Sequence, residues 1–195
     1  MRNLLSLALV TGLITSFSLT AHDDWNAVEY SLEKANKPSP MPDRIVLTWE
    51  EDTSTTQSVT WRTDTSVKVG LAQIAVANSN GWALESDTFQ AETTPFESDI
   101  NKANYHTVTF KDLSPDTLYA YRVGDGANWS EYFHFSTASD EPKPFSFIYL
   151  GDAQNQVRMH WSRVFREAFR EAPRAALALH AGDLVDFNDS DVQWG

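Results

Sequence analysis

Between Asp43 and about Ala138, apolar and polar residues alternate in short runs. Arg44-Ile45-Val46-Leu47-Thr48-Trp49 and Ser58-Val59-Thr60-Trp61-Arg62 are two such runs, separated by the polar stretch Glu50 to Thr56. Val67 to Ala77, His106 to Phe110, Leu118 to Val123 and Tyr132 to Ser136 bring the number to six or so. A period of two with polar links is the signature of half-buried strands, and this spacing predicts a β-sandwich. Trp49, Trp61, Tyr119 and Tyr121 are assigned to its core.

The pattern changes after Ser139. Ser139 to Pro144 is a stiff, polar linker, and two solidly apolar runs follow it. The first, from Phe145, ends in Gly151-Asp152; the second, from Ala175, ends in Gly182-Asp183. Short apolar runs with polar ends predict buried strands. Between them Val157, Trp161, Val164, Phe165, Ala168, Phe169 and Ala172 recur at helical spacing, with Arg158, Arg163, Arg166, Glu167, Arg170 and Glu171 on the other face. The unit is strand, helix, strand. Such a crossover makes the strands parallel and brings both carboxylates to the carboxyl-terminal edge of the sheet, where open α/β sheets bind ligands.

If the strands are neighbours, they lie about 4.8 Å apart. Carboxylates that close repel unless they are protonated or hold a metal. A pair of metal ions about 3.5–4 Å apart suits the gap. A glycine before each Asp leaves room for close approach to the backbone. The competing reading is that Gly-Asp is a turn after a strand. Gly124-Asp125, read as a loop with no buried strand before it, is an instance of that kind. Two Gly-Asp pairs across one strand-helix-strand unit favour a site.

Composition narrows the classes. The 195 residues allow one large or two small domains, and 42% hydrophobic content is ample for packed cores. A net charge of −12 argues against a nucleic-acid backbone as partner. The absence of cysteine removes thiolate catalysis and cysteine ligands. Met1-Arg2-Asn3, then the apolar stretch Leu4 to Leu19 and Thr20-Ala21 before His22-Asp23-Asp24, have the form of a secretory signal peptide. Cleavage is assigned after Ala21, which implies a secreted or periplasmic protein without a stable membrane anchor. His22 to Met41 form a lead segment with no clear period, whose Trp25 and Tyr30 are expected to pack. Trp82 and Trp129, in loop-like surroundings, are weaker candidates for a carbohydrate platform. Asn128-Trp129-Ser130 and Asn188-Asp189-Ser190 match the glycosylation sequon.

Leu113-Ser114-Pro115-Asp116-Thr117-Leu118-Tyr119-Ala120-Tyr121-Arg122-Val123 resembles the fibronectin type III signature, in which the tyrosine at the Tyr119 position caps a corner by hydrogen-bonding back to the backbone. More narrowly, Pro42-Asp43-Arg44-Ile45, Val59-Thr60-Trp61-Arg62-Thr63 and Tyr121-Arg122-Val123-Gly124-Asp125 with Trp129-Ser130 resemble the amino-terminal β-domain of purple acid phosphatases. Gly151-Asp152-Ala153-Gln154 and Gly182-Asp183-Leu184-Val185-Asp186 resemble the first two motifs of calcineurin-like metallophosphoesterases.

The resemblance implies a fibronectin type III-like sandwich over 42–138, a linker over 139–144 and the start of an α/β phosphoesterase domain over 145–195. It also implies two divalent or trivalent metal ions (Fe, Zn or Mn) and a phosphate-ester small molecule as substrate. Asp152 would ligate the first ion and Asp183 would bridge both. Gln154 stands where relatives have Gly or His, and it is open between a weak ligand and a polar loop residue, as is Asn155. Asp186 replaces the tyrosine that gives the family its colour, so no purple chromophore is expected; a metal ligand, a supporting role and a turn carboxylate all stay open for it. His180 is assigned as a hydrogen-bonded core histidine and His160 as a surface or packing residue.

The family's later histidine motifs do not occur in these 195 residues. The chain is therefore expected to be the amino-terminal portion of a longer phosphatase acting on phosphate monoesters, and inactive by itself. A phosphodiesterase or nucleotidase shares the same site logic. From a different class, a non-enzymatic β-sandwich surface-binding module would reduce both Gly-Asp pairs to turns.

Overall fold

Trp61 has no exposed surface, and the sandwich closes over it. The computed structural model describes residues 31–78, 85–154 and 157–194. The expected leader over 1–21, His22, Trp25, Tyr30, Trp82 and Asn155 lie outside the described residues. In chain order, a short helix α1 (Leu32–Ala35) precedes β1 (Asp43–Thr48), β2 (Gln57–Asp64), β3 (Leu71–Val76) and β4 (Asp87–Gln90). Then come β5 (Glu92–Glu97), β6 (Lys102–Phe110), β7 (Leu118–Gly124) and β8 (Phe133–Ser136).

The strands form two four-stranded sheets, β1-β2-β6-β5 and β4-β3-β7-β8, antiparallel throughout. This is the two-sheet, Greek-key architecture of fibronectin type III and immunoglobulin-like domains. Inward residues of both sheets, among them Val59, Trp61, Phe110, Tyr121, Val123 and Phe135, make one core. Each such side chain contributes about 1.5–3 kcal/mol by leaving water.

The expected tyrosine corner is present. The Tyr119 hydroxyl accepts a 2.8 Å hydrogen bond from the Ser114 amide, and the ring stacks on Phe135 at 5.6 Å. A second fixed point is His106, fully buried beside Trp61 at 5.3 Å. Its Nε2 pairs with the Thr63 hydroxyl at 2.8 Å and its Nδ1 with the Thr93 hydroxyl at 2.9 Å. Gly70 belongs to the same cluster, because a Cβ there would lie 2.7 Å from the His106 ring. Burial pushes the His106 pKa below its ordinary value, against a weaker opposite pull from Asp125.

Several expectations are corrected. β4 and β5 were not anticipated: both lie at sheet edges, all four residues of β4 and most of β5 are exposed, and Pro95 interrupts β5. With nearly every side chain in solvent, neither strand carries an apolar period, unlike the edge strands β1 and β8, which send Ile45, Leu47 and Phe135 inward. β3 starts at Leu71 and not at Val67, because the Val67 carbonyl instead accepts from Asn104 at 2.7 Å. Trp49 is 43% exposed and is no core residue. Gly124-Asp125 does follow a buried strand, β7. Trp129 has the Arg122 guanidinium 4.5 Å from its ring centroid, with Tyr132 at 4.9 Å from the same cation, so it packs within its own sheet surface.

After the sandwich come β9 (Ile148–Leu150), a π-helical stretch (Val157–Trp161), α2 (Ser162–Glu171), β10 (Ala178–His180) and a last helical turn α3 (Asp191–Trp194). β9 and β10 pair in parallel, Ile148 opposite Ala178 and Leu150 opposite His180, as the crossover pattern requires. The strands were expected to be buried, and they are not. Tyr149 is 65% exposed, and α2 buries no residue even though its apolar stripe is where the periodicity put it. Two three-residue strands and one helix cannot cover both sheet faces.

Two tests follow for the sandwich. Tyr119→Phe removes the corner hydrogen bond and is expected to cost about 1 kcal/mol, read as a lower urea midpoint at unchanged slope. The second test concerns His106. Its folded pKa lies below the ordinary 6.5, so the unfolded chain binds more protons between the two values. Stability present above the unfolded value is therefore lost as pH falls below it. Urea midpoints taken at about pH 7.5 and 5.5 should drop on acidification, and the drop should shrink in His106→Gln. An equal drop in both proteins would remove His106 as its source.

Candidate metal centre

The two Gly-Asp pairs leave their strands side by side. The Ala181 amide bonds the Leu150 carbonyl at 2.7 Å, the Asp152 amide the Gly182 carbonyl at 3.1 Å, and the Gln154 amide the Asp183 carbonyl at 3.0 Å. The strand pairing thus continues into the two turns. Both aspartates adopt left-handed backbone, with φ of 60° at Asp152 and 53° at Asp183. That conformation is uncommon outside glycine, although Asp and Asn tolerate it best. Asp112 and Asp116 adopt it in plain turns of the sandwich, so it does not mark a site by itself.

The two glycines serve different ends. At Gly151 a Cβ would come 3.3 Å from the Ala181 side chain, so the strands approach closely there. Gly182 has open space around it and a φ of +101°, a backbone state that other residues rarely adopt. Close approach accounts for the first glycine only.

The use of the Asp183 carboxylate separates its turn from an ordinary one. At Gly124-Asp125 the carboxylate accepts from the Ala127 amide at 2.8 Å, the Asn128 amide at 2.6 Å and the Asn128 side chain at 2.9 Å. It is spent on its own loop; burial pushes its pKa up, and those bonds together outweigh it and hold the group below the usual carboxylate range. They also tie down Asn128, while the sequon's Ser130 hydroxyl is buried and bonded to Val123 and Glu131. The Asp183 carboxylate is exposed and makes no hydrogen bond or ion pair among the described residues. Gln154 reaches the Asp152 carboxylate with its side-chain nitrogen at 3.4 Å, a long contact.

His180, two residues before Gly182, accepts the Gly182 amide on Nδ1 at 3.2 Å. Its Nε2 is enclosed without a hydrogen-bond partner, with Trp161 edge-on at 5.4 Å. It is hydrogen-bonded as expected, but half-buried at the sheet edge and not in a core. His160 is exposed, as is Asp186.

Among the described residues no group of three or more His, Cys, Asp or Glu side chains could hold a metal ion, so Asp186 does not complete the pair. Asp152 and Asp183 are donors of the right hardness for a divalent or trivalent cation. Two carboxylates fit part of such a shell and do not close a two-ion centre. A cavity of about 840 Å³ exists elsewhere, on the outer face of the first sheet beside Val46, Phe96, Tyr105 and Trp194, and neither aspartate lines it.

One structural feature had no sequence signal. Asp191, 5% exposed, meets Arg44 and Arg62 of the sandwich. A partner some 147 positions away in sequence leaves no trace in local periodicity.

The comparisons with known proteins agree with the strand order. Residues 42–137, just under half of the chain, match the family model described as "Purple acid Phosphatase, N-terminal domain". The protein "Acid phosphatase type 7" of Danio rerio is 38% identical over 82 residues, which cover 41% of this chain and 18% of that one. The chain thus matches less than a fifth of that relative's length. A solved structure, "Structure of PhoD", superposes over 76% of this chain and 28% of its own, at 15% identity and a TM-score of 0.50, a likeness of fold. Over residues 42–137 the chain is therefore similar to the N-terminal domain of purple acid phosphatases.

Proposed function

We propose that this chain contributes the accessory sandwich and the first two metal-ligating carboxylates of an exported phosphatase acting on phosphate monoesters. The observation that supports the reading most is the pair of Gly-Asp turns at one edge of adjacent parallel strands, bonded to each other through backbone groups. The purple acid phosphatase domain ahead of it points the same way. Asp152 and Asp183 would hold the metal, and Gln154 would steady Asp152. Bound there, hard cations would neutralise phosphoryl charge and make water a better nucleophile. What the chain's own residues do is narrower. Gly182 and the His180 bond to its amide set the turn, and the turn leaves the Asp183 carboxylate open to solvent.

The non-enzymatic reading keeps one observation on its side, since Gly124-Asp125 shows that a buried strand of this chain can end in Gly-Asp for purely structural reasons. The unshared carboxylate of Asp183 weighs against extending that reason to the second pair.

The experiment compares metal content and aryl phosphate turnover in a protein carrying this chain together with the histidine motifs of the family. Asp183→Ala should lower bound divalent metal and reduce turnover more than about 100-fold, beyond what loss of a supporting residue typically costs. Metal content and turnover that survive both Asp152→Ala and Asp183→Ala would discard the reading. The 195-residue chain alone should show no turnover. A monoester and a diester of the same aryl alcohol, run side by side, separate phosphatase from phosphodiesterase.

A further inference from the structure

We propose that Asp191 is a clasp that fixes the segment bearing Asp183 onto the sandwich, and that the sandwich face around Arg44 and Arg62 is a socket built for this one carboxylate. The Asp191 Oδ1 lies 2.6 Å from Arg44 Nη1, and its Oδ2 accepts from the Asn101 side chain at 2.8 Å and faces Arg62 Nη1 at 3.6 Å. The backbone is held as well. The Asp191 carbonyl accepts from Arg44 Nη2 at 3.0 Å, its amide donates to Asp99 Oδ1 at 2.9 Å, and the next carbonyl, of Val192, accepts from Asn36 at 3.3 Å.

Burial gives these contacts their weight. The Asp191 side chain is 4% exposed, that of Arg62 2% and that of Arg44 16%. Taking one of these charges out of water costs several kcal/mol, and an opposite charge with good geometry must offset it. Arg62 stands on the outward side of β2, between the paired threonines and the sheet end, where a strand residue ordinarily meets solvent. It is enclosed because other segments lie over it. Asp43 takes its Nε and Nη2 at 2.8 and 2.7 Å, the Asn36 carbonyl also accepts from Nη2 at 2.9 Å, and Nη1 is left facing Asp191 alone.

The tail has little else to hold it. β9, α2 and β10 leave much of their apolar surface in solvent: Tyr149 is 65% exposed, Phe169 59% and Leu179 50%. The polar clasp therefore decides where the chain lies after the second Gly-Asp turn. It restricts that turn from one side while the pairing with β9 restricts it from the other. The inference does not depend on metal binding, and its test needs neither metal nor substrate.

Hydrogen exchange followed residue by residue on the whole chain provides that test. In Asp191→Asn, amides of residues 178–194 should exchange at least about tenfold faster, while those of β2, β6 and β7 change less than about twofold. Because that variant takes the carboxylate from Arg44 and one of two from Arg62, Asn101→Ala is run beside it, removing one bond and leaving every charge paired. It should loosen the same residues to a smaller degree. Unchanged exchange over 178–194 in Asp191→Asn, or a loosening that the sandwich shares equally in Asn101→Ala, would overturn the proposal. If Asp191→Asn unfolds the whole chain, Asn101→Ala decides by the same criterion.

Discussion

A guanidinium with only 2% of its side chain exposed has to be surrounded by acceptors, and the requirement of Arg62 organises much of this molecule. Asp43 at the start of β1, the carbonyl of Asn36 just after α1, and Asp191 at the start of α3 all answer it. Three segments far apart in sequence are thus drawn to one strand. The hydrophobic core on the opposite side of β2, around Trp61, could form without them. The polar side could not, since a cation buried with part of its shell missing destabilises the state that buries it.

The two halves of the described chain are stabilised by unlike means. The sandwich has a continuous apolar interior, a tyrosine corner and a core histidine bonded through both nitrogens, all supplied by its own strands. The strand-helix-strand unit has correct topology and correct hydrophobic periodicity but almost no interior. Its order is borrowed: backbone bonds between two short strands on one side, an ion cluster on the sandwich on the other. Topology and periodicity are local properties of a sequence, whereas burial depends on how many elements share a sheet.

That contrast explains what could be read from the residues. Six strands carrying inward apolar positions were legible, as were the corner role of Tyr119 and the parallel pairing that puts Asp152 and Asp183 at one edge. β4 and β5 were not, because nearly all of their side chains face solvent, and Pro95 argues against a strand to any local reading. Trp49 was misplaced because an aromatic on an alternating run looks the same whether or not the sheet reaches it. Asp191 was invisible for a deeper reason. Nothing in Asn188-Asp189-Ser190-Asp191 says which of two acids will be buried; that is fixed by Arg44 and Arg62, and the fold alone brings them there.

The parallel pair β9-β10 is bonded only to itself among the described residues, so each strand has an open side. Backbone amides and carbonyls there are ready to accept a further strand, and Tyr149 and Leu179, 65% and 50% exposed, add apolar surface beside them. An open edge of this kind does not choose between a strand of its own fold and the same edge of another molecule. An unpaired edge with apolar neighbours is a site where strands of separate molecules can pair unless something covers it.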